Sequence, residues 1–133
     1  MKGMVTDMAF YLEKEKTGST PHVIIDEAKN YMKIEGESYH ENIIAFFTDI
    51  NEWLNGYLES DFESFTVDFE LLYFNSSTAK ILLNMLINMD DNASGGKQII
   101  VNWITTADND IIIECGEDFC DEMSELTFNL VIR

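Results

Sequence analysis

Residues 65–74 read Phe-Thr-Val-Asp-Phe-Glu-Leu-Leu-Tyr-Phe. Phe65, Val67, Phe69, Leu71 and Tyr73 alternate with Thr66, Asp68 and Glu70, the period of a half-buried strand. From Leu71 to Phe74 the run is wholly apolar, which predicts a strand entering the buried centre of a sheet. Asn75-Ser76-Ser77-Thr78 interrupts it. Ile81, Leu82, Met85, Leu86 and Met89 then recur at helical spacing, and this helix is expected to end near Asp90-Asp91. A buried strand that feeds a helix through four polar residues is half of a βαβ unit. It commits the chain to an α/β fold with parallel pairing.

The flanking segments fit that commitment. Val23-Ile24-Ile25 and the alternating Tyr31 to Glu35 read as a hairpin, with Asp26 to Asn30 as the connection. Ile43, Phe46, Phe47, Ile50, Trp53, Leu54, Tyr57 and Leu58 give a helix with a wide apolar face, the kind that lies on a sheet. Ser38 and Glu41 have the spacing of a capping box before it. Ile99 to Ile104 reads as another central strand, with Asn92 to Gly96 as the loop before it. Residues 108–125 carry both signals. Ile111-Ile112-Ile113 favours a strand, whereas Ile111, Cys115, Phe119 and Met123 fall four apart. The reading is a helix capped by Asp108 or Asn109. Thr127 to Ile132 closes the chain as a strand. The expected order is β-β-α-β-α-β-α-β: a mixed sheet of about five strands with an N-terminal hairpin and three helices. Residues 1–18 show no clear period and are expected to form a mobile arm, with Phe10, Tyr11 and Leu12 able to dock. Residues 19–133 are expected to form one domain.

Charge narrows the function. The chain has 133 residues, eight Lys and Arg, 25 Asp and Glu and a formal net charge of -17. Sixteen aromatics set it apart from acidic disordered chains. Binding to nucleic acid or to an anionic membrane needs cations that it lacks. No apolar segment reaches the roughly 18 residues of a spanning helix. Residues 1–16 lack the pattern of a signal peptide. Cys115 and Cys120 therefore read as reduced thiols, and a cytoplasmic location is expected. His22 and His40 are far apart in sequence and from the cysteines, so no metal set is expected. No cofactor motif is present. Gly95-Gly96-Lys97 lacks P-loop spacing and reads as a turn. No nucleophile and base are brought together by chain position.

One place could carry regulation. A helix that begins directly after a buried strand offers free N–H groups and the positive end of its dipole. Ser76 or Ser77 could serve there simply as the N-cap. Either hydroxyl could instead accept a phosphate, which would add up to about two negative charges to a partner surface.

Three stretches carry a family resemblance. Ser19-Thr20-Pro21, Gly36 to Asn42 and Leu71 to Lys80 resemble the SiaC family, small bacterial biofilm-regulation phosphoproteins with a fold similar to the anti-sigma factor antagonist (STAS) domain. The likeness runs from about residue 19 to the C-terminus. His40 stands where the family typically has Pro. The resemblance implies that Ser76 is the phosphosite. Analogy with STAS proteins would favour Ser77, but Asn75 replaces the usual Asp there, so Ser77 is the second choice. The resemblance also marks Ser38, Tyr39, Glu41 and Asn42 in the first long motif as partner-binding residues. In the second it marks Tyr73, Asn75, Ser77 and Thr78. It implies a protein kinase and a PP2C-type phosphatase acting on the phosphosite, and a diguanylate cyclase activated by the unmodified form. It implies no catalytic residue, metal or cofactor. Residues 98–132 hold eight acids and no Lys or Arg, which suits a basic partner. Two other readings stay open: a small-molecule pocket lined by Trp53, Trp103 and the methionines, and a constitutive scaffold with a capped, buried Ser76.

Overall fold

A computed structural model describes residues 9–133. Six strands form one sheet in sequential order: β1 (Tyr11–Lys14), β2 (His22–Asp26), β3 (Tyr31–Ser38), β4 (Ser64–Phe74), β5 (Gln98–Thr105) and β6 (Thr127–Ile132). β1, β2 and β3 pair antiparallel, and β3 to β6 pair parallel. The parallel strands are linked by α1 (Ile43–Leu58), α2 (Ser76–Asn92) and α3 (Asp110–Glu122). Strand order advances in one direction only. With right-handed crossovers, all three helices then fall on the same face.

Register shows which face. Val23, Ile34, Phe69 and Trp103 lie in one row across four strands; Ile25, Met32, Val67 and Val101 lie in the next. All eight are buried, beneath Phe47, Ile50 and Leu54 of α1 and Leu82, Leu86 and Met89 of α2. Each such large side chain contributes about 1.5–3 kcal/mol when fully buried. The other face is polar. Tyr31 donates to Asp68 at 2.7 Å, Asn102 donates to Asp68 at 2.8 Å, and Asn129 donates to Asn102 at 3.0 Å. Burial, then the hydrogen bond to Asp68 and its charge, push the Tyr31 phenol well above its ordinary pKa.

Three expectations need correction. The sheet has six strands, because Tyr11–Lys14 pairs with β2 instead of forming part of a mobile arm. Lys14 holds this strand against α1 through Phe46 O at 2.7 Å and Asp49 at 2.9 Å, and Phe10 stacks on Trp53. Residues 1–8 of the expected arm lie outside the described residues. Second, Ser38 does not cap α1. It ends β3, fully buried, and α1 starts at Ile43 after Asn42, whose side chain makes no capping bond. Third, β4 does not stay buried to its end. Leu72 and Tyr73 are 59% and 52% exposed.

The third correction has a local cause. Gly36 pairs with Leu71 but Glu37 pairs with Tyr73, so Leu72 is the extra residue of a bulge. Gly36 has φ of 115°, a conformation that other residues rarely adopt. Pairing of β4 with β5 ends at Phe69 and Trp103. The last turn of β4 therefore has a strand on one side only, and the bulge puts two consecutive apolar side chains into solvent.

The far end of the molecule is closed by two close contacts. Asp90, at the end of α2, accepts from the N–H groups of Ser124, Glu125 and Leu126 at 2.7–3.1 Å. Gly116 lets α3 lie against Trp103, whose indole N–H donates to Ile112 O at 2.8 Å.

Candidate functional site

The β4–α2 junction is built around Asn75. Its extended backbone ends the strand, and its side-chain oxygen accepts from Thr78 N at 3.0 Å. Asn75 is therefore the N-cap, not Ser76 or Ser77. Ser76 and Ser77 become the first two helical residues, and both are exposed. Because Asn75 takes the N–H of Thr78, those of Ser76 and Ser77 remain for solvent or an anion.

Thr78 is committed elsewhere. It is fully buried, and its hydroxyl donates to Ser38 O at 3.0 Å. That uses its one hydrogen, so in the 2.9 Å contact between the two hydroxyls Ser38 is the donor. Asn75 N also donates to Ser38 O, at 3.2 Å. Two motifs separated by all of α1 are thus joined by three hydrogen bonds between the end of β3 and the start of α2.

The third motif closes the cluster. Ser19 O accepts from the N–H groups of Tyr39 and His40 at 2.9 and 3.1 Å. Thr20 and Pro21 are buried behind it. His40 stays exposed, and its Nδ1 accepts from Asn42 N at 3.0 Å. Tyr39 meets Tyr73 edge to face, with ring centroids 5.7 Å apart. Glu41 and Asn42 are exposed at the α1 start, and among the described residues their side chains make no hydrogen bond into the cluster.

The sequence reading missed the apolar surface beside these groups. Tyr39, Ile44, Leu72, Tyr73 and Ile111 are 42–74% exposed. They come from the β3–α1 connection, the α1 start, the β4 end and the α3 start. Asn109 caps α3 through Ile112 N at 3.3 Å and also reaches Leu72 O at 3.2 Å, which brings that helix start alongside. A groove of about 430 Å³ between α1 and α2 is lined by Ile44, Ser77, Lys80, Ile81 and Asn84. The available signal is the wholly apolar Leu71–Phe74, which reads as core because register shifts are not visible in one strand alone.

Trp103, Met32, Met85 and Met89 are buried in the core. Met85 also borders a cavity of about 250 Å³ with Asn51, Asn55, Ile81, Asn84 and Asn88, whose lining includes neither Trp53 nor Trp103, so it is not the expected small-molecule pocket. No helix among the described residues is long and apolar enough to cross a membrane.

A family model for SiaC family regulatory phosphoproteins matches residues 14–133. The chain belongs to the SiaC family. An uncharacterised protein of Pseudomonas aeruginosa (strain UCBPP-PA14) is 27% identical over 108 residues, 81% of this chain and 86% of that one. Among solved structures, SiaC of Pseudomonas aeruginosa has the same fold, with a TM-score of 0.85 at 24% identity over 93% of this chain and 99% of that one. The fold also matches, with a TM-score of 0.86 and 25% identity, a crystal structure of the diguanylate cyclase SiaD in complex with its activator SiaC from that organism. That match covers 92% of this chain and 99% of the other. The expected mixed α/β fold is therefore the fold of SiaC, and the expected family is correct. The family is described as one of regulatory phosphoproteins.

Proposed function

We propose that this chain is a phosphorylation-switched, protein-binding regulator in the bacterial cytoplasm. Unmodified, it binds and activates a diguanylate cyclase, as SiaC is the activator of SiaD. A dedicated protein kinase phosphorylates Ser76, with Ser77 the second candidate, and a PP2C-type phosphatase reverses it. Cyclic di-GMP output, and with it biofilm formation, follows the unmodified form.

The observation that carries this reading is an exposed hydroxyl on a helix start beside exposed apolar side chains. Tyr39, Tyr73, Leu72 and Ile44 are the kind of patch that marks a protein interface. A phosphate at Ser76 finds the N–H groups of the α2 start and the positive dipole end. It also brings close to two negative charges to the edge of an apolar contact, where desolvation disfavours them. Modification and docking then exclude one another. Thr78 cannot substitute, because its hydroxyl is buried and already bonded. A constitutive scaffold with a hidden Ser76 is disfavoured, since Ser76 is exposed.

The test has two parts. Incubation with a candidate protein kinase from the same bacterium, followed by mass spectrometry, should add phosphate at Ser76. Absence from both Ser76 and Ser77 removes the switch. Ser76→Asp should weaken cyclase binding at least tenfold, about 1.4 kcal/mol, while Ser76→Ala should bind and activate constitutively. Equal binding by both variants contradicts the proposal.

A further inference from the structure

The two histidines are distant in sequence from each other, but the fold brings one of them to carboxylates that sequence spacing does not reveal. Glu13 lies in β1, and Glu15 follows directly after the strand's last residue, Lys14. His22 opens β2 directly after buried Pro21. Lys14 pairs with Val23, which sets Glu13 and Glu15 on either side of that pair and next to His22. One donor atom from each of Glu13, Glu15 and His22 lies within 4.8 Å of the other two. His22 Nε2 is 2.7 Å from Glu13 Oε2.

A simple ion pair between His22 and Glu13 leaves Glu15 unexplained. Among the described residues neither Glu13 nor Glu15 is paired with Lys or Arg. Lys14, between them in sequence, points to Asp49 instead. Two carboxylates held together on an edge strand repel each other, more so in a chain of net charge -17. A divalent cation removes that repulsion.

The surroundings of the ring fit the same role. His22 Nδ1 faces Glu35 Oε1 at 3.8 Å, and Glu35 is held by Lys33 at 3.0 Å. A metal-bound imidazole usually presents its other nitrogen to a carboxylate, which fixes the ring. Zinc takes imidazole and carboxylate at ~2.0–2.2 Å, so donors up to 4.8 Å apart must close in on the ion when it binds.

We propose that Glu13, Glu15 and His22 bind a divalent transition-metal ion of the zinc type. Imidazole with carboxylates suits zinc and its neighbours better than magnesium or calcium. The ion clamps β1 to β2, and with β1 the contacts of Phe10 on Trp53 and of Lys14 on α1. Three protein ligands leave a fourth position open at the surface.

The experiment is calorimetric titration of the reduced full chain with Zn²⁺ alone, paired with thermal unfolding. One equivalent should bind and raise Tm. His22→Ala and Glu15→Gln should each weaken binding at least tenfold and abolish the Tm shift. Asp61→Asn, an exposed acid away from the cluster, should change neither. Unaltered binding in His22→Ala, as the thiols Cys115 and Cys120 would give, overturns the site. So does equal loss in Asp61→Asn, as a diffuse acidic surface would give. Equally tight binding of Ca²⁺ that survives His22→Ala overturns the imidazole's part. Because none of these readouts involves the cyclase or the kinase, failure here leaves the switch at Ser76 unaffected.

Discussion

Single side chains decide what can be modified and what holds the fold. Ser76, Ser77 and Thr78 are successive hydroxyls, yet only the first two reach solvent, because the third is bonded to Ser38. Asp90 is the other such residue. Burial opposes its ionisation, but the N–H groups of Leu126, Glu125 and Ser124 outweigh this and hold the carboxyl below its ordinary value. The unfolded chain then binds this proton more readily than the folded one. The stabilisation is complete above the unfolded pKa of about 3.9 and is lost as pH falls through the folded value. Asp90→Asn should cost about 1.5–3 kcal/mol at pH 7, since bonds to a charged acceptor are lost. In urea unfolding the gap between variant and parent should narrow below about pH 4. A gap that stays constant with pH would mean that the charge plays no part. In the sequence, Asp90 is legible only as the end of a helix. Its partners lie 34 to 36 residues away, and no local pattern announces them.

The regular elements show where sequence reading succeeds. α1, α2, β4, β5 and β6 each carry enough apolar residues for their period to declare itself. The ambiguous segment resolves as α3: Ile112, Gly116 and Phe119, spaced four and three apart, form its buried face, while Ile111 of the expected row Ile111, Cys115, Phe119 and Met123 is exposed. β1 was missed because four residues, Tyr-Leu-Glu-Lys, are too few to show a period. Its pairing comes from contacts with β2 and α1. Ser38 was misread because its hydroxyl had two uses, and the longer-range partner Thr78 won. The β4–α2 junction itself was legible from strand, polar break and helix alone. The apolar surface around it was not, since it depends on the Leu72 bulge. Gly116 tests how tightly these elements pack. A Cβ there would lie 2.4 Å from Trp103 Cδ1. Alanine gains about 1 kcal/mol in helix propensity. The clash should win, since Trp103 is buried among Phe69, Phe74 and Phe119 and tethered to Ile112. Overpacking of this kind costs about 1–3 kcal/mol or more. Gly116→Ala should lower Tm and change the near-UV signal of Trp103. A raised Tm would show that α3 moves away without cost.

At the scale of the whole molecule, charge and apolar surface divide the work of binding. The eight acids of residues 98–132 lie on α3 and its flanks, while the apolar patch lies at the starts of α1 and α3 and the end of β4. Acidity spread over a surface acts mainly on the encounter rate, and salt screens it beyond about 8–10 Å. Buried aromatic contacts act mainly on how long the complex lasts. For a cyclase partner, raising salt from 50 to 500 mM, a roughly tenfold change in ionic strength, should slow association several-fold and leave dissociation nearly constant. Tyr73→Ala should do the reverse, with dissociation at least tenfold faster and association within about twofold, the pattern of a lost anchor. Surface plasmon resonance separates the two rates. If Tyr73→Ala slows association and salt speeds dissociation instead, the partner sits on the acidic helix, and phosphate at Ser76 would not lie at its edge.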